Sequence, residues 1–272
     1  MKYDRQNDAV PEPAAGQLFA EERKGLIIKK LKEDAKVLVQ DLSEQFDVSQ
    51  ATIRTDLREL EKGGLLVRTH GGAILTGKMG LELTSEQKEV SQRDEKKRIA
   101  ANALSQVDDG DTIAIDTGTT TFEFADTLSA RRGLTIVTND IGIAANLEKK
   151  TNHHIILIGG ELRKGFHCTI GAKALEALKD INVDKTFLAA NAFTLDRGFS
   201  TPNIEHAEIK KRLREISLKT FLLMDSGKIG KIAFYTFAEA GDIDVLITDS
   251  GIGGKMAECI CGAAEGLELV IV

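Results

Sequence analysis

Cysteine is too scarce in this sequence to staple a fold. Cys168, Cys259 and Cys261 are an odd set with no disulfide framework. Neither a signal peptide nor a run long enough to span a membrane is present, so the expected compartment is the cytoplasm, with no membrane partner. Basic charge is also short. A formal net charge of -6 excludes a uniformly basic nucleic-acid binder, so any charge facing DNA must be local. Two phosphate fingerprints are missing: there is no G-x-x-x-x-G-K-[ST], and no G-x-G-x-x-G follows a strand. That counts against a nucleotide or redox sensor built on a dinucleotide fold. His153-His154, His167-Cys168 and Cys259-x-Cys261 lack zinc-site spacing, and no metal or cofactor is expected.

What is present is organised around Ser49 to Leu60. Ser49 is a good N-cap before a helix-period run that holds Ile53, Leu57 and Leu60 on one side. At roughly 100° per residue the opposite side carries Thr52, Arg54, Thr55 and Arg58, with Gln50 and the short Ala51 at its start. Taken alone, this is either a helix that reads bases in a major groove or an ordinary amphipathic helix with a solvated face. Its neighbours favour the first. Upstream, Val39, Leu42 and Phe46 stand at helical spacing, and only a tight turn separates them from Ser49, which gives helix, turn, helix. Downstream, Gly63-Gly64 stops the helix, Leu65 to Arg68 reads as a strand, and Thr69-His70-Gly71-Gly72 turns into Ala73 to Leu75. A hairpin in that position is a wing, which would put Arg68 and His70 beside phosphates or in the minor groove. Arg54, Arg58, Lys62, Arg68 and Lys78 supply local charge, diluted by Asp56, Glu59 and Glu61.

The pattern R-x-x-x-I, then V-x-x-L-S-E-x-F-x-V-S-x-x-T-I-R-x-D-L-x-x-L-E-x-x-G-L-L-x-R-x-H-G-G-A, resembles the DNA-binding domain of the DeoR family of bacterial transcriptional regulators. The resemblance implies a double-stranded DNA operator as partner. Two features depart from the family pattern: Thr55 stands where a basic residue or Asn is usual, and Gly25 sits inside the first helix. Thr55 points to a different operator sequence or a different phosphate contact.

The length of 272 residues suits one small and one larger domain. Residues 1–20, with Pro11, Pro13 and Gly16, read as a flexible tail. Residues 21–75 make the winged helix-turn-helix, whose first helix turns Leu26, Ile27, Ile28 and Leu31 to the core. Residues 76–93 read as a linker, and 94–272 as a second domain. It opens on a helix from Asp94 to Val107 with Ile99, Ala103 and Leu104 on one side. Short apolar runs then follow at Thr112–Ile115, Leu134–Val137, Ile155–Ile158, Thr186–Ala190, Phe221–Met224, Val245–Ile247 and Leu267–Val272, with helix-length segments between most of them. The expected class is therefore α/β: a largely parallel sheet with helices on both faces.

Ligands bind such sheets at the carboxyl ends of the strands. There the chain places Asp116-Thr117-Gly118-Thr119-Thr120-Thr121, Thr138-Asn139-Asp140, Gly159-Gly160-Glu161-Leu162-Arg163, Asn191 and Asp225-Ser226-Gly227-Lys228. Gly118 allows a tight strand-to-helix turn, and amides with three threonine hydroxyls at a helix N-terminus suit a phosphate. The alternative is that Thr119 or Thr120 simply caps the helix. Arg163, Lys164, Lys210 and Lys228 either converge on that anion or are solvated surface cations. Asp116, Asn139, Asn191 and Glu208 either meet sugar hydroxyls or cap turns.

I-D-T-G-T-T-T, V-T-N-D, L-I-G-G-E-L-R, R-G-F-S-T-P-N-I-E-H-A-E-I-K-K and M-D-S-G-K-I-G resemble the effector domain of the same family, which is similar to ribose-5-phosphate isomerases and coenzyme A transferases. The resemblance implies a Rossmann-like sheet and a phosphorylated sugar held by the Asp116 to Thr121 loop, Asn139, Lys210 and Lys228. At Phe187 to Ala192 the family commonly shows glycines and an acidic residue near Asn191. Here two extra methyl groups narrow the expected pocket. The expected function is a homo-oligomeric repressor of a sugar-metabolism operon that responds to a sugar phosphate. The alternative is an isomerase that gained a winged helix, with Glu208 or Asp116 as base.

Overall fold

The computed structural model describes residues 19–34, 36–62, 66–69, 71–75, 82, 84, 85, 88, 92–263 and 266–272. Residues 1–18 of the tail expected over 1–20, Gly63-Gly64, Leu65, His70, Lys78 and most of the linker expected over 76–93 lie outside the described residues, while Ala20 of that tail belongs to the first helix. Two compact units divide the chain, the second beginning at Lys78.

In the first unit, α1 (Ala20–Asp34) turns Ile27 and Leu31 fully inward, as their spacing of four requires. Leu26 was expected in the core but is 40% exposed, because one helical step carries it off that stripe. The short strand β1 (Lys36–Leu38) leads into α2 (Val39–Phe46), whose Val39, Leu42 and Phe46 are buried. Asp47 ends α2 with φ 50° and makes the tight turn. Ser49 then caps α3 (Gln50–Lys62), its Oγ accepting the Thr52 N–H at 3.1 Å. Ile53, Leu57 and Leu60 close the core from α3. The wing is the antiparallel pair β2 (Leu66–Thr69) and β3 (Gly72–Leu75), and β1 adds to it in the order β1-β3-β2. Gly72 permits that third strand, since a Cβ there would lie 1.8 Å from the Val37 carbonyl oxygen.

Asp56 does not dilute the outer face of α3. It turns inward and binds Arg23 of α1 through two bonds, at 2.5 and 3.1 Å, with both side chains buried.

The second unit begins its described helices with α4 (Arg93–Leu104). Strands β4 (Thr112–Ile115), β5 (Thr135–Thr138) and β6 (His154–Leu157) alternate with helices α5 (Thr119–Thr127) and α6 (Ile141–Lys150). A hairpin follows, β7 (Glu161–Arg163) with β8 (Cys168–Ile170), then α7 (Ala172–Ala177). The strand β9 (Val183–Ala189) re-enters the main sheet. Strands β10 (Ala192–Thr194) and β11 (Gly198–Thr201) lie in a small side sheet, and α8 (Ile204–Glu215) returns the chain to β12 (Ser217–Leu223). Then come β13 (Tyr235–Ala238) of the side sheet, β14 (Val245–Thr248), α9 (Gly254–Ala263) and β15 (Glu268–Ile271). The main sheet has seven strands in the order β15-β14-β12-β9-β4-β5-β6, all paired in parallel.

Strand residues alternate between two cores, as the pleat dictates. Ile113, Ile115, Phe187, Phe221 and Leu223 face α4, α5 and α6, with Phe187 lying 4.3 Å from Phe124 and 4.8 Å from Phe221 between ring centroids. Ala114, Leu188 and Leu222 face α7 and α8 together with Phe193, Phe199 and Phe237 of the side sheet. Helices therefore cover both faces, as expected for a Rossmann-like sheet. The strand order reverses between β4 and β9, and there the loops leaving the two carboxyl ends part and open a crevice.

Candidate functional site

The outer side of α3 exposes Gln50, Ala51, Arg54, Thr55 and Arg58, with Ser49 exposed before it and Thr52 half-buried. Arg54 donates from Nη2 to Gln50 Oε1 at 3.2 Å, and Thr55 donates to the Ala51 carbonyl at 3.1 Å. The small residues at the start of the helix leave its backbone approachable, and the arginines reach outward. Arg68 is held differently. Its backbone N–H and its Nε donate to Glu61 at 3.0 and 2.6 Å, so the wing strand is tied to the end of α3 and the guanidinium already has a partner.

In the second unit the loop after β4 forms the floor of the crevice. Asp116 is completely buried, and one oxygen accepts the Ala189 N–H at 3.0 Å and the Lys210 ammonium. Lys210 also donates to the Ala189 carbonyl at 2.9 Å. These two residues therefore stitch β4, β9 and α8 together, although Lys210 still borders the crevice. Thr117 donates to Asp140 at 2.6 Å, and Asp140 caps α6 by accepting from the Gly142 and Ile143 amides.

Gly118 is the N-cap residue of α5, and no side chain caps that helix. The capping alternative for Thr119 and Thr120 is thus not used, and the first-turn amides, which have no acceptor inside a helix, stand beside Gly118. Thr119 is half-buried, Thr120 is buried with an unpartnered hydroxyl, and Thr121 donates back to the Gly118 carbonyl at 2.9 Å. Asn139 is buried behind the crevice, where its amide donates to the Thr169 carbonyl at 3.0 Å and braces β8. Glu208 is exposed on α8; two residues on, roughly 200° around the helix, Lys210 points inward. Of the expected effector residues, Gly118, Asn191, Lys210 and Lys228 line the crevice, whereas Asp116, Thr119, Thr120, Thr121, Asn139, Arg163 and Glu208 are not in its lining.

Of the four cations, Lys210 and Lys228 border the crevice, Arg163 lies behind the lining residues Glu82 and Phe166, and Lys164 is exposed. Lys228, in the turn after β12, pairs with the buried Asp225 at 3.2 Å and borders the crevice. Burial opposes the Asp225 charge, but Lys228 and Lys96 outweigh it and hold this carboxyl below its ordinary range. Arg163 lies flat on the Phe166 ring, 3.7 Å from its centroid, and Asn191 stands opposite. Ala189 and Ala190 line the crevice between them, where the expected extra methyl groups lie. Several lining groups carried no sequence signal: Glu82, Ser85 and Lys88 fall in the stretch read as linker, and Phe166 and His206 in segments read for other reasons. Burial first, then the nearby Lys210 charge, pushes the His206 imidazole down to about 3, so it is neutral. Its Nε2 lies 3.1 Å from Cys168 Sγ, and burial pushes that thiol up to about 12. Among the described residues no group of three or more His, Cys, Asp or Glu side chains is placed to hold a metal ion, and no helix is long and apolar enough to cross a membrane.

With this geometry in view, two family models match the chain. The DeoR-like helix-turn-helix domain matches residues 23–78, and the DeoR C terminal sensor domain matches residues 91–250. The HTH-type transcriptional regulator GlpR of Haloferax volcanii is 35% identical over 87% of this chain and 92% of its own length. A putative aga operon transcriptional repressor of Escherichia coli O157:H7 is 31% identical over 92% and 93%. The transcriptional repressor AccR of Agrobacterium fabrum is 32% identical over 85% and 90%.

Proposed function

The chain belongs to the DeoR family of DNA-binding transcriptional regulators, and from that premise we propose that it is a repressor whose hold on an operator is set by a phosphorylated sugar bound at the β4/β9 crevice. The observation that carries this reading is the convergence of the uncapped α5 N-terminus at Gly118 with Lys88, Lys210 and Lys228 at the point where strand order reverses. Helix amides and cations together suit a phosphoryl group. Residues 21–75 act as the DNA-binding domain, 76–93 as the link, and 94–272 as the sensor. Ser49, Gln50, Thr52, Arg54, Thr55 and Arg58 read the duplex, with the wing flanking them.

The operon is one of sugar metabolism, in keeping with the aga operon repressor among the relatives. The protein works as a homo-oligomer in the cytoplasm, and two-fold symmetry requires paired half-sites in the operator. Ligand binding shifts the equilibrium between arrangements only by its differential affinity for them, typically about 1 to 3 kcal/mol.

Turnover is disfavoured by the same geometry. An isomerase base must reach a substrate carbon, yet Asp116 is engaged by Ala189 and Lys210, and Glu208 faces outward. Thermal-shift titration with a panel of phosphorylated sugars, followed by gel-shift titration on the operator, tests the proposal. One sugar phosphate should stabilise the protein and change operator affinity. Indifference to the whole panel would remove the sensing role.

A further inference from the structure

The anion site already holds an anion, and it comes from the chain itself. The Glu82 carboxylate accepts from Lys88 Nζ at 2.7 Å and Asn191 Nδ2 at 3.1 Å on one oxygen, and from Arg163 Nη1 at 2.7 Å on the other. Its side chain is only 5% exposed. Two of the three donors are oriented by other residues. Phe166 fixes the plane of Arg163, and Thr201 donates to Asn191 Oδ1 at 3.0 Å, which turns the Asn191 amide nitrogen toward the carboxylate. This is a built receptor for a small oxyanion, since carboxylate and phosphoryl oxygens take the same charge-assisted donors. Although burial opposes ionisation, Lys88 and Arg163 keep Glu82 charged, at about 2.

A buried ion cluster of this kind is weak as a stabilising device, because desolvation offsets most of the attraction. The space left in the crevice is about 30 Å³, room for a water or two against the roughly 300 Å³ or more of a small-molecule site. A sugar phosphate therefore cannot enter unless a side chain leaves. Glu82 is the lining residue of matching charge, and it follows shortly after Leu75, the last residue of the wing, along the chain.

We propose that Glu82 is an internal counter-anion: it occupies an oxyanion subsite formed by Lys88, Arg163 and Asn191, and the phosphoryl group of the ligand takes these donors by displacing it. This rests on the reading of the crevice as a sugar-phosphate site and adds how occupancy is reported. Exchange releases Glu82 from the crevice, and the competition lowers the apparent affinity by the fraction of molecules in which Glu82 is bound.

Inorganic phosphate titrated into the full chain by calorimetry tests this. Glu82→Gln keeps the shape and removes the charge; Glu82→Ala removes both. Each should bind phosphate about tenfold or more tightly than the unmodified chain, and adding Arg163→Gln to Glu82→Gln should abolish the gain. In the unmodified chain, phosphate should also speed cleavage after Glu82 by a glutamate-specific protease, a measurement that needs no variant. Equal phosphate affinity with and without Glu82, with Arg163→Gln still weakening binding, would overturn displacement and leave the crevice reading intact. Weaker binding in both Glu82 variants, or unchanged or slower cleavage after Glu82, would overturn it likewise. No phosphate binding by any of the proteins would overturn the crevice reading itself.

Discussion

Lys210 gives its ammonium to Asp116 and to the Ala189 carbonyl at once, and both charged side chains are buried. The pair fixes how far apart the ends of β4 and β9 stand. Removing one partner leaves an uncompensated charge in the interior, so Lys210→Met should cost about 3 to 5 kcal/mol of sensor stability. Urea unfolding of the two chains measures it. A loss of sugar-phosphate response with unchanged stability would instead make Lys210 a ligand contact only.

Arg54 differs from Lys210 in being fully outside the core. Arg54→Ala should cost about 1 to 3 kcal/mol of operator binding while the melting temperature stays put, because only a bond to Gln50 is lost. Gel shifts on the operator and on unrelated DNA separate base reading from general attraction. Equal weakening on both would assign Arg54 to phosphates.

The buried Arg23 and Asp56 pair joins α1 to α3 inside the DNA-binding unit. Asp56→Ala should destabilise that unit by about 3 to 5 kcal/mol, as it removes the α3 carboxylate that compensates the buried Arg23 charge. Operator binding should then fail on warming before the sensor unfolds, which calorimetry with a parallel gel-shift series would reveal. A single unchanged transition would contradict it.

Long apolar runs made much of this architecture readable. All seven strands of the main sheet correspond to runs such as Thr112–Ile115 and Phe221–Met224, because a strand buried on both faces has to be apolar throughout. The side sheet and the β7/β8 hairpin escaped notice, since strands of three or four residues leave no period to detect. On α3, helical period separated Ile53 from Arg54 but could not show that Asp56 has a partner 33 positions away. The crevice was legible where loops follow strands, at Gly118, Asn191 and Lys228. Glu82 and Lys88 were not, because a polar stretch between domains looks alike whether it is solvated or folded into a site.

Acid should weaken the sensor in two overlapping windows. His206 sits at about 3 against an ordinary 6.5. The unfolded chain takes up the proton first, so its contribution is lost as pH falls from about 6.5 toward 3. Lys210, Lys88, Arg163, Glu82 and the neutral Cys168 thiol surround it. Glu82, at about 2 against 4.5, adds a second loss as pH falls from about 4.5 toward 2. Urea midpoints at pH 7 and pH 5.5 should differ more for the unmodified chain than for His206→Gln. Equal differences would mean the imidazole is not held neutral.

Gly118 stands close to Ala189 across the crevice floor. Its φ of +156° and a Cβ that would lie 3.0 Å from Ala189 Cβ and 3.1 Å from Thr121 Oγ1 leave no room for a side chain unless β9 gives way. Gly118→Ala should therefore push the loop off the α5 amides and lower sugar-phosphate affinity at least about tenfold, a loss of roughly 1.4 kcal/mol. Combining it with Ala189→Gly removes the opposing methyl and should restore most of that affinity, whereas Ala190→Gly, which the Gly118 Cβ does not meet, should not. Operator affinity without ligand should stay the same in all three chains. Failure of Ala189→Gly to rescue would mean that the backbone conformation at Gly118, rather than contact with β9, sets the fit.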